Sequence, residues 1–495
     1  MKCFTLVSLL LPLSLMALAP AAAHPGHGQS QVALWQQASP WPDRIVLNPG
    51  ADPSRSFSLT WRTDASVGRT VAELVEASED TRFDQFAQSF EADTQRLDLE
   101  VMPTENGPHE GLFNHGLGKV HYHSITFDAL KPDTLYAYRV RGDRGHWSEW
   151  FQTRTPAAEG PLEFVYFGDA QNGIRSHWSR VIRMAYQTVP NADFFLHAGD
   201  LVDKSDSDQE WAEWFAAGSF IHSVIPSVPV RGNHENITVV SPEGKRQRVP
   251  TPMWRPQFTL PVEQALPETL HESNYQLNYG DRLHVFVVDS ARKHFEDTAA
   301  WLDQALAESN ATWKLVTMHH PYFVPDHLAR NKTDLRRKAA LGAVIDKHEV
   351  DLVLTGHIHT YLRGSAHWDE DHMARTLTGE PQSVKTVYAI SAAGAKNSVF
   401  PDETPTVFYH GDNGDGQQGP RLERYADNTP MFQHIAIDGE RIEYKAYTAI
   451  GTVYDAFSLE KGEDGRKTLI NGEASFGDLR LFDNTAPYSN AYDLQ

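Results

Sequence analysis

Between residues 161 and 365 the chain repeats one pattern: a short apolar run, a polar stretch containing glycine, then a segment with helical spacing. The runs Glu163–Phe167, Asp193–Leu196, Ser227–Val230, Leu283–Asp289, Trp313–Val316 and Val350–Leu354 are rich in Val, Leu and Phe. Such near-continuous apolar runs predict strands covered on both faces. Apolar periodicity predicts helices over 175–187, 209–220, 298–307 and 338–348. Strand followed by helix, repeated, is the signature of a layered α/β sheet. Beyond 365, Lys385–Ile390 predicts another buried strand, with Ala392-Ala393-Gly394 turning after it. Residues 402–428 are polar and turn-rich, which predicts a rim loop. Phe432–Ile437 and Arg441–Ala446 alternate around Asp438-Gly439, a hairpin signal. Val453–Leu459 predicts an edge strand. These would complete a second sheet, so the expected domain, 161–460, is a two-sheet β-sandwich flanked by helices, followed by a tail at 461–495.

Residues 28–157 read differently. Arg44–Leu47, Phe57–Trp61, Val71–Val75, Val120–Phe127, Leu135–Val140 and Trp147–Phe151 are short strand-like runs separated by turn residues. Several such strands at this spacing predict an all-β sandwich. Residues 77–118 form a longer, charged excursion within it. The run Leu130-Lys131-Pro132 followed by Tyr136 resembles the tyrosine corner of sandwich domains, so this segment resembles a fibronectin type III-like domain. Thr153–Gly160 reads as the linker.

Composition bounds the functions on offer. Hydrophobic residues make up 40% of the 495 and aromatics 11%, enough for packed cores. The formal net charge of -21 argues against electrostatic capture of nucleic acid or an anionic membrane. An anionic substrate would therefore need local positive charge, most simply metal ions. Residues 1–23 carry Lys2, the apolar run Phe4–Leu18 and the small residues Pro20–Ala23, which predicts a signal peptide. That run is short for a membrane span, and no later stretch is long and apolar enough for one. The single cysteine, Cys3, lies inside the signal. The expectation is an exported protein, periplasmic or secreted, without disulfides and with no membrane span.

The chemistry sits at the strand ends. Gly168-Asp169 follows the first run, Gly199-Asp200 the second, Gly232-Asn233-His234-Glu235 the third, His319-His320 the fifth and Gly356-His357-Ile358-His359 the sixth. Open α/β sheets bind ligands at that edge, so the motifs can converge. Carboxylate, amide and imidazole together suit borderline-hard divalent metals. Asp169, Asp200, Asn233, His319, His357 and His359 are too many ligands for one tetrahedral ion with an open position. They suit two ions sharing a bridging carboxylate, about 3.5–4 Å apart, an arrangement that clamps a phosphoryl group.

The order Gly-Asp, Gly-Asp-x-x, Gly-Asn-His-Glu, Val-x-x-His and Gly-His-x-His is similar to the calcineurin-like metallophosphoesterase superfamily. With the sandwich in front, the chain resembles its purple acid phosphatase branch, over nearly all of the sequence after residue 23. The resemblance implies that Asp169 and His359 bind a first metal, that Asp200 bridges, and that Asn233, His319 and His357 bind the second. It implies that His234 faces the substrate as the catalytic residue. His320 and His327 are candidate substrate contacts, and Arg363, four residues past His359, could reach phosphate or form a salt bridge beneath the site. Two positions depart from the pattern. Purple enzymes carry a Tyr three residues after the bridging Asp, where this chain has Asp203, so the tyrosinate-iron colour is expected to be absent. Other superfamily members carry a His two residues after the first Asp, where this chain has Gln171, a weaker candidate ligand.

The implied function is hydrolysis of small phosphate monoesters by direct attack of a metal-bound hydroxide, with two divalent or trivalent ions (Fe, Zn or Mn). A phosphodiesterase acting on nucleotides or lipid headgroups is one alternative. A non-catalytic secreted binding or adhesion protein with a degenerate metal site is another.

Overall fold

The computed structural model describes residues 36–101, 114–241, 243–321, 332–368, 377–397, 420–477 and 480–482. The predicted signal peptide and His327 lie outside them.

Eight strands form the front region: β1 (Asp43–Pro49), β2 (Phe57–Asp64), β3 (Val71–Glu76), β4 (Gln88–Glu91), β5 (Asp93–Asp98), β6 (Lys119–Phe127), β7 (Leu135–Val140) and β8 (Phe151–Arg154). They pair as two antiparallel four-stranded sheets, in the orders β1-β2-β6-β5 and β4-β3-β7-β8. Alternation decides which side chains face inward: Leu47, Leu59, Trp61, Leu74, Phe127, Tyr138 and Val140 share one buried core. The excursion after residue 77 is not a detour. It supplies an edge strand to each sheet, β4 to one and β5 to the other. The Tyr136 hydroxyl accepts the Lys131 backbone N–H at 2.9 Å, so the tyrosine corner is present. Strand β8 runs to Arg154, so the connection to the next domain starts later than the linker expected from 153.

A buried ionic cluster ties the sandwich to the second domain. Both Arg44 guanidinium nitrogens reach the Asp208 carboxylate, at 2.7 and 2.8 Å, and Arg62 approaches it at 3.4 Å while pairing with Asp43. Asp208 opens the helix Asp208–Gly218, where a negative charge also complements the helix dipole.

The second domain is built on β9 (Leu162–Phe167), β10 (Phe194–His197) and β11 (Ser227–Pro229), then a small hairpin β12 (Asn236–Val240) and β13 (Arg246–Pro250). Next come β14 (Tyr275–Tyr279), β15 (Leu283–Val288), β16 (Trp313–Met318), β17 (Leu352–Thr355), β18 (Tyr361–His367) and β19 (Gln382–Ile390). The chain ends with β20 (Arg421–Ala426), β21 (Met431–Asp438), β22 (Arg441–Thr448), β23 (Val453–Lys461), β24 (Lys467–Asn471) and β25 (Arg480–Phe482). The hydrogen-bonded order is β11-β10-β9-β21-β22-β23-β24-β19-β17-β16-β15-β14, with β18, β20 and β25 branching from β19. Strands β9, β10 and β11 are parallel to one another, as are β15, β16, β17 and β19.

Inward residues of both parallel sets, such as Phe164 and Leu196 from one and Val285, Leu315 and Leu354 from the other, share a single core. Their outer faces are covered by helices: Trp178, Val181 and Ile182 on one side, Phe295, Leu302, Leu306 and Ile345 on the other. Each fully buried Phe or Leu contributes about 1.5–3 kcal/mol, which explains why the strands tolerate so few polar residues. Among the described residues no helix is long and apolar enough to cross a membrane.

Three expectations need correction. Residues after 460 are not a tail, because β24 pairs with both β23 and β19 and so joins the two halves of the sheet. For the same reason β23 is interior rather than an edge. The expected rim loop at 402–428 contains β20, whose Leu422, Tyr425 and Ala426 are buried; residues 402–419 lie outside the described residues.

Candidate metal centre

Every motif lies just past the C-terminal end of a parallel strand: Asp169 after β9, Asp200 after β10, Asn233 and His234 after β11, His319 after β16, His357 and His359 after β17. Two glycines make the convergence sterically possible. A Cβ on Gly232 would sit 2.1 Å from Asp200 Oδ1, and one on Gly356 would sit 2.2 Å from Asp169 Oδ1. The backbone is bent to suit: Asp200, His357 and His359 hold φ of 50°, 74° and 55°. Left-handed conformations of this kind are costly for residues with side chains and gather at functional sites.

The side chains fall into two groups that meet at Asp200. In one, His359 Nε2 lies 3.0 Å from Asp169 Oδ2 and 2.9 Å from Gln171 Nε2. In the other, His319 Nε2 lies 3.1 Å from Asn233 Oδ1 and 3.3 Å from His357 Nδ1. The same Asp200 oxygen, Oδ2, is 3.2 Å from Gln171 Nε2 and 3.0 Å from His319 Nε2. Asp169, Asp200 and His319 thus bring one donor atom each within 4.8 Å of one another, and so do His319, His320 and His357. Asp169, Asp200 and His319 are each at most 1% exposed.

The donor set fits a cation. His319 Nδ1 faces the Ala198 carbonyl at 2.9 Å, so in the neutral ring that nitrogen carries the proton and Nε2 presents a lone pair. That lone pair points at the Asp200 carboxylate and the Asn233 amide oxygen, acceptor against acceptor. Only a proton or a metal ion at this point relieves the conflict. The protonation balance shows the same demand. Burial opposes charge on His319, but Asp200 and Asp169 outweigh it and push the ring up to about 9. Burial likewise opposes ionisation of Asp169 and Asp200, yet His319 beside them holds both below the usual carboxylate range. Burial and the neighbouring His319 push His357 down to about 3, leaving it neutral and available as a ligand.

Gln171 fits as well. Its side chain is fully buried, its Nε2 faces Asp169, Asp200 and His359, and its Oε1 has no hydrogen-bond partner. Half a turn of the amide would exchange the two atoms and point the oxygen at the same spot.

His234 stands at the side of this cluster. Its Nδ1 faces the Asp203 carbonyl at 2.6 Å, its Nε2 is 3.9 Å from Asp200 Oδ2, and its side chain is 26% exposed. Asp203 occupies the position of the purple enzymes' tyrosine and serves His234 instead. His320 is 6% exposed, tied to Ser290 Oγ and packed 4.4 Å from the His357 ring. Arg363 lies wholly inside an ionic cluster with Glu423 and Asp455 and does not reach outward.

Sequence reasoning gave no role to Glu235, which organises the motif loops. Its carboxylate accepts the backbone N–H groups of Gly232, Asp200 and Leu201 at 2.7, 2.9 and 2.8 Å. One side chain thereby fixes the loop carrying Asp200 to the loop carrying Asn233. The signal was its place in the Gly-Asn-His-Glu motif. Arg248 was also missed; its guanidinium donates to the Asn233 carbonyl.

Comparison with known proteins agrees with this architecture. The calcineurin-like phosphoesterase model matches residues 162–361, and the purple acid phosphatase N-terminal domain model matches residues 42–155. Purple acid phosphatase 21 of Arabidopsis thaliana is 25% identical over 260 residues, covering 51% of this chain and 54% of that one. Probable purple acid phosphatase 20 of the same plant is 25% identical over 286 residues, covering 54% and 62%. Probable inactive purple acid phosphatase 24 is 22% identical over 380 residues, covering 69% and 57%. The chain thus spans between half and two thirds of the length of these relatives. Among solved structures, purple acid phosphatase PPD1 from yellow lupin (Lupinus luteus) seeds aligns with a TM-score of 0.64 at 17% identity, covering 86% of this chain and 75% of that one. PhoD aligns at 0.59 and 12% identity, covering 90% and 95%. These two structures share the fold. The chain thus carries a calcineurin-like phosphoesterase domain over residues 162–361, behind a purple acid phosphatase N-terminal domain over residues 42–155.

Proposed function

We propose that this protein is an exported phosphomonoesterase with a dinuclear metal centre. The observation that carries the reading is the place of Asp200 Oδ2, between the Gln171 and His319 side chains and so between the two ligand groups. Asp169, Gln171 and His359 would hold one ion, Asn233, His319 and His357 the other, and Asp200 both. Iron, zinc and manganese all suit this donor set. Ions bound there polarise the phosphoryl group and activate a water as nucleophile. The chain's own part is positional. His234 donates Nδ1–H to the Asp203 carbonyl, so the ring is fixed and the second proton of the imidazolium sits at Nε2, toward the Asp200 side. From there it can be given to the departing oxygen, or stabilise charge on the phosphoryl oxygens. His320, packed beneath His357, has a supporting place in this scheme. His327 keeps its candidate role as a substrate contact. A small phosphate ester is the substrate class.

A non-catalytic binding protein is the competing reading, favoured by Gln171 in place of a histidine and by a relative named as probably inactive. The His234→Ala variant separates the two. It should keep the metal content of the wild type and lose turnover of 4-nitrophenyl phosphate by roughly 10²–10⁴-fold. Equal turnover removes the assigned role. Faster turnover of bis(4-nitrophenyl) phosphate than of the monoester would make the protein a phosphodiesterase.

A further inference from the structure

A second cleft lies beside the Gly232–Glu235 motif, and none of the residues assigned above to the metal centre lines it. Its volume is about 690 Å³, within the roughly 300–1,000 Å³ of small-molecule sites. Alternation along β13 puts Gln247 and Val249 on its wall, while Arg248, which reaches the Asn233 carbonyl, is on the other face. Val249, Pro250, Pro252, Trp254 and Pro256 make much of the lining apolar.

Three guanidinium groups share this wall, from Arg231, Arg255 and Arg292. Arg231 is 2% exposed and so lies deep in the cleft. Its Nη1 and Nη2 donate to Asp289 and to Asn236 Oδ1, both at 2.9 Å, but its Nε is buried without a hydrogen-bond partner. Buried donors are seldom left empty. Arg255 is paired with Glu272 at 2.7 Å. Arg292 is half-buried and has no ion pair among the described residues. Burial, and then the nearby charges of Arg292 and Arg255, lower the Arg231 guanidinium from its usual range, against the pull of Asp289 and Glu235. Like charges gathered at one cleft call for an anion between them. The carboxylate on the wall, Glu268, is exposed to water. With Arg231 and Arg255 already paired, one guanidinium is in surplus, which matches a monoanion better than a dianionic phosphate.

The same wall grips both ends of the motif. Arg231 directly precedes Gly232, and Asn236, which Arg231 holds, donates to the Gly232 carbonyl at 3.1 Å. Thr251, also on the wall, donates its backbone N–H to the Glu235 carbonyl at 3.0 Å and its hydroxyl to the Ser205 carbonyl at 2.7 Å. A ligand that orders Arg231 and Thr251 therefore steadies the loop that carries Asn233 and His234.

We propose that this cleft is a regulatory site for a small monocarboxylic acid with an apolar body. The carboxylate bridges Arg292 and the Arg231 Nε, a task that arginine donors suit, and the body lies against the proline and valine wall. Occupancy raises turnover at the metal centre by holding the motif loop in place. The regulatory role rests on the phosphoesterase reading above; the binding does not.

The probe is naphthalene-2-carboxylate, with naphthalene-2-carboxamide as its uncharged match. Calorimetric titration of the metal-free full chain removes the ions as a rival site. The carboxylate should bind, and the carboxamide should bind more weakly by roughly tenfold or more, the worth of one charge-assisted hydrogen bond. Arg292→Ala, a change at a half-exposed side chain, should weaken the carboxylate by a similar factor. In the metal-loaded enzyme the probe should raise kcat for 4-nitrophenyl phosphate, with a midpoint at its calorimetric Kd, and Arg292→Ala should shift that midpoint upward. A carboxylate bound at the metals instead would compete with substrate and lower turnover. No binding at millimolar probe, equal binding of the carboxamide, unchanged binding in Arg292→Ala, or binding without a rise in kcat each overturns the proposal and leaves the phosphoesterase reading intact. No turnover by the wild type, with probe binding present, overturns the phosphoesterase reading and the regulatory role with it.

Discussion

Replacing Glu235 isolates the positioning of the centre from its ligands. The carboxylate is fully buried and accepts three backbone N–H groups, two at Oε2 (Gly232 and Asp200) and one at Oε1 (Leu201). In Glu235→Gln one oxygen becomes an NH₂ group. Even in its better orientation, with the oxygen toward Gly232 and Asp200, the amide nitrogen confronts the Leu201 N–H. One buried donor then loses its acceptor, at a cost of about 1–3 kcal/mol. In Glu235→Ala all three donors lose theirs and a cavity opens, so the cost rises to several kcal/mol. Because Asp200 and the Asn233–His234 pair hang from these loops, a shift on the order of 1 Å is expected, and misplacement of that size can cost 10²-fold in rate. The assay is kcat for 4-nitrophenyl phosphate together with metal content and the urea midpoint of unfolding. The Gln variant should lower both kcat and the midpoint, and the Ala variant should lower them further and lose metal. A Gln variant with wild-type kcat and midpoint would refute the argument that this carboxylate ties the two loops together.

Single residues carry the remaining predictions. Gln171→His should raise metal occupancy at limiting metal, because imidazole is the stronger ligand; unchanged occupancy measured by elemental analysis would mean that position 171 does not coordinate. Acid sensitivity should trace in part to buried histidines. Burial and His121 push His123 down to about 4, and burial pushes His222 down to about 3. Both are neutral in the fold but protonate near 6.5 when unfolded, so their stability contribution is complete above about pH 6.5 and declines as pH falls toward 4. Each pH unit in that window amounts to about 1.4 kcal/mol per group. Glu210 works the other way: burial raises it to about 7, so its contribution is complete below about 4.5 and is lost as pH rises through 7. Thermal melts of His123→Gln between pH 7 and 4.5 should show a shallower acid loss than wild type; identical slopes would remove His123 as a cause.

Much of the fold was legible because its central strands are buried on both faces. Runs such as Phe164–Phe167 and Leu352–Leu354 tolerate almost no polar residue, so they announce themselves. The Asp438-Gly439 hairpin was equally plain: Asp438 pairs with Arg441 and Gly439 takes φ of 54°. What was not legible depends on partners distant in sequence. Lys467–Asn471 has no distinctive composition, and only its pairing with Val384 and Leu459 makes it the seam of the sheet. The π-turns at Ile174–Trp178 and Lys338–Gly342 broke the helical period assumed across them. The hairpin 236–250 was missed because its apolar side is short and its second strand is mostly polar. At the site, the residue types and spacings pointed to Asp169, Asp200, Asn233, His319, His357 and His359, and the structure brings all six together. That the Gln171 amide is buried against Asp169, Asp200 and His359, and that Glu235 serves three N–H groups, are facts of three-dimensional packing that no spacing encodes.

The central claim is a two-ion centre that cleaves phosphate monoesters, and metal stoichiometry measured with turnover tests it most directly. Freshly purified protein, reconstituted with zinc, manganese or iron, should hold about two ions per chain and hydrolyse 4-nitrophenyl phosphate, with both properties lost together on chelation and restored together on adding metal back. A chain that binds one ion or none after reconstitution and turns over no phosphate ester would contradict the account.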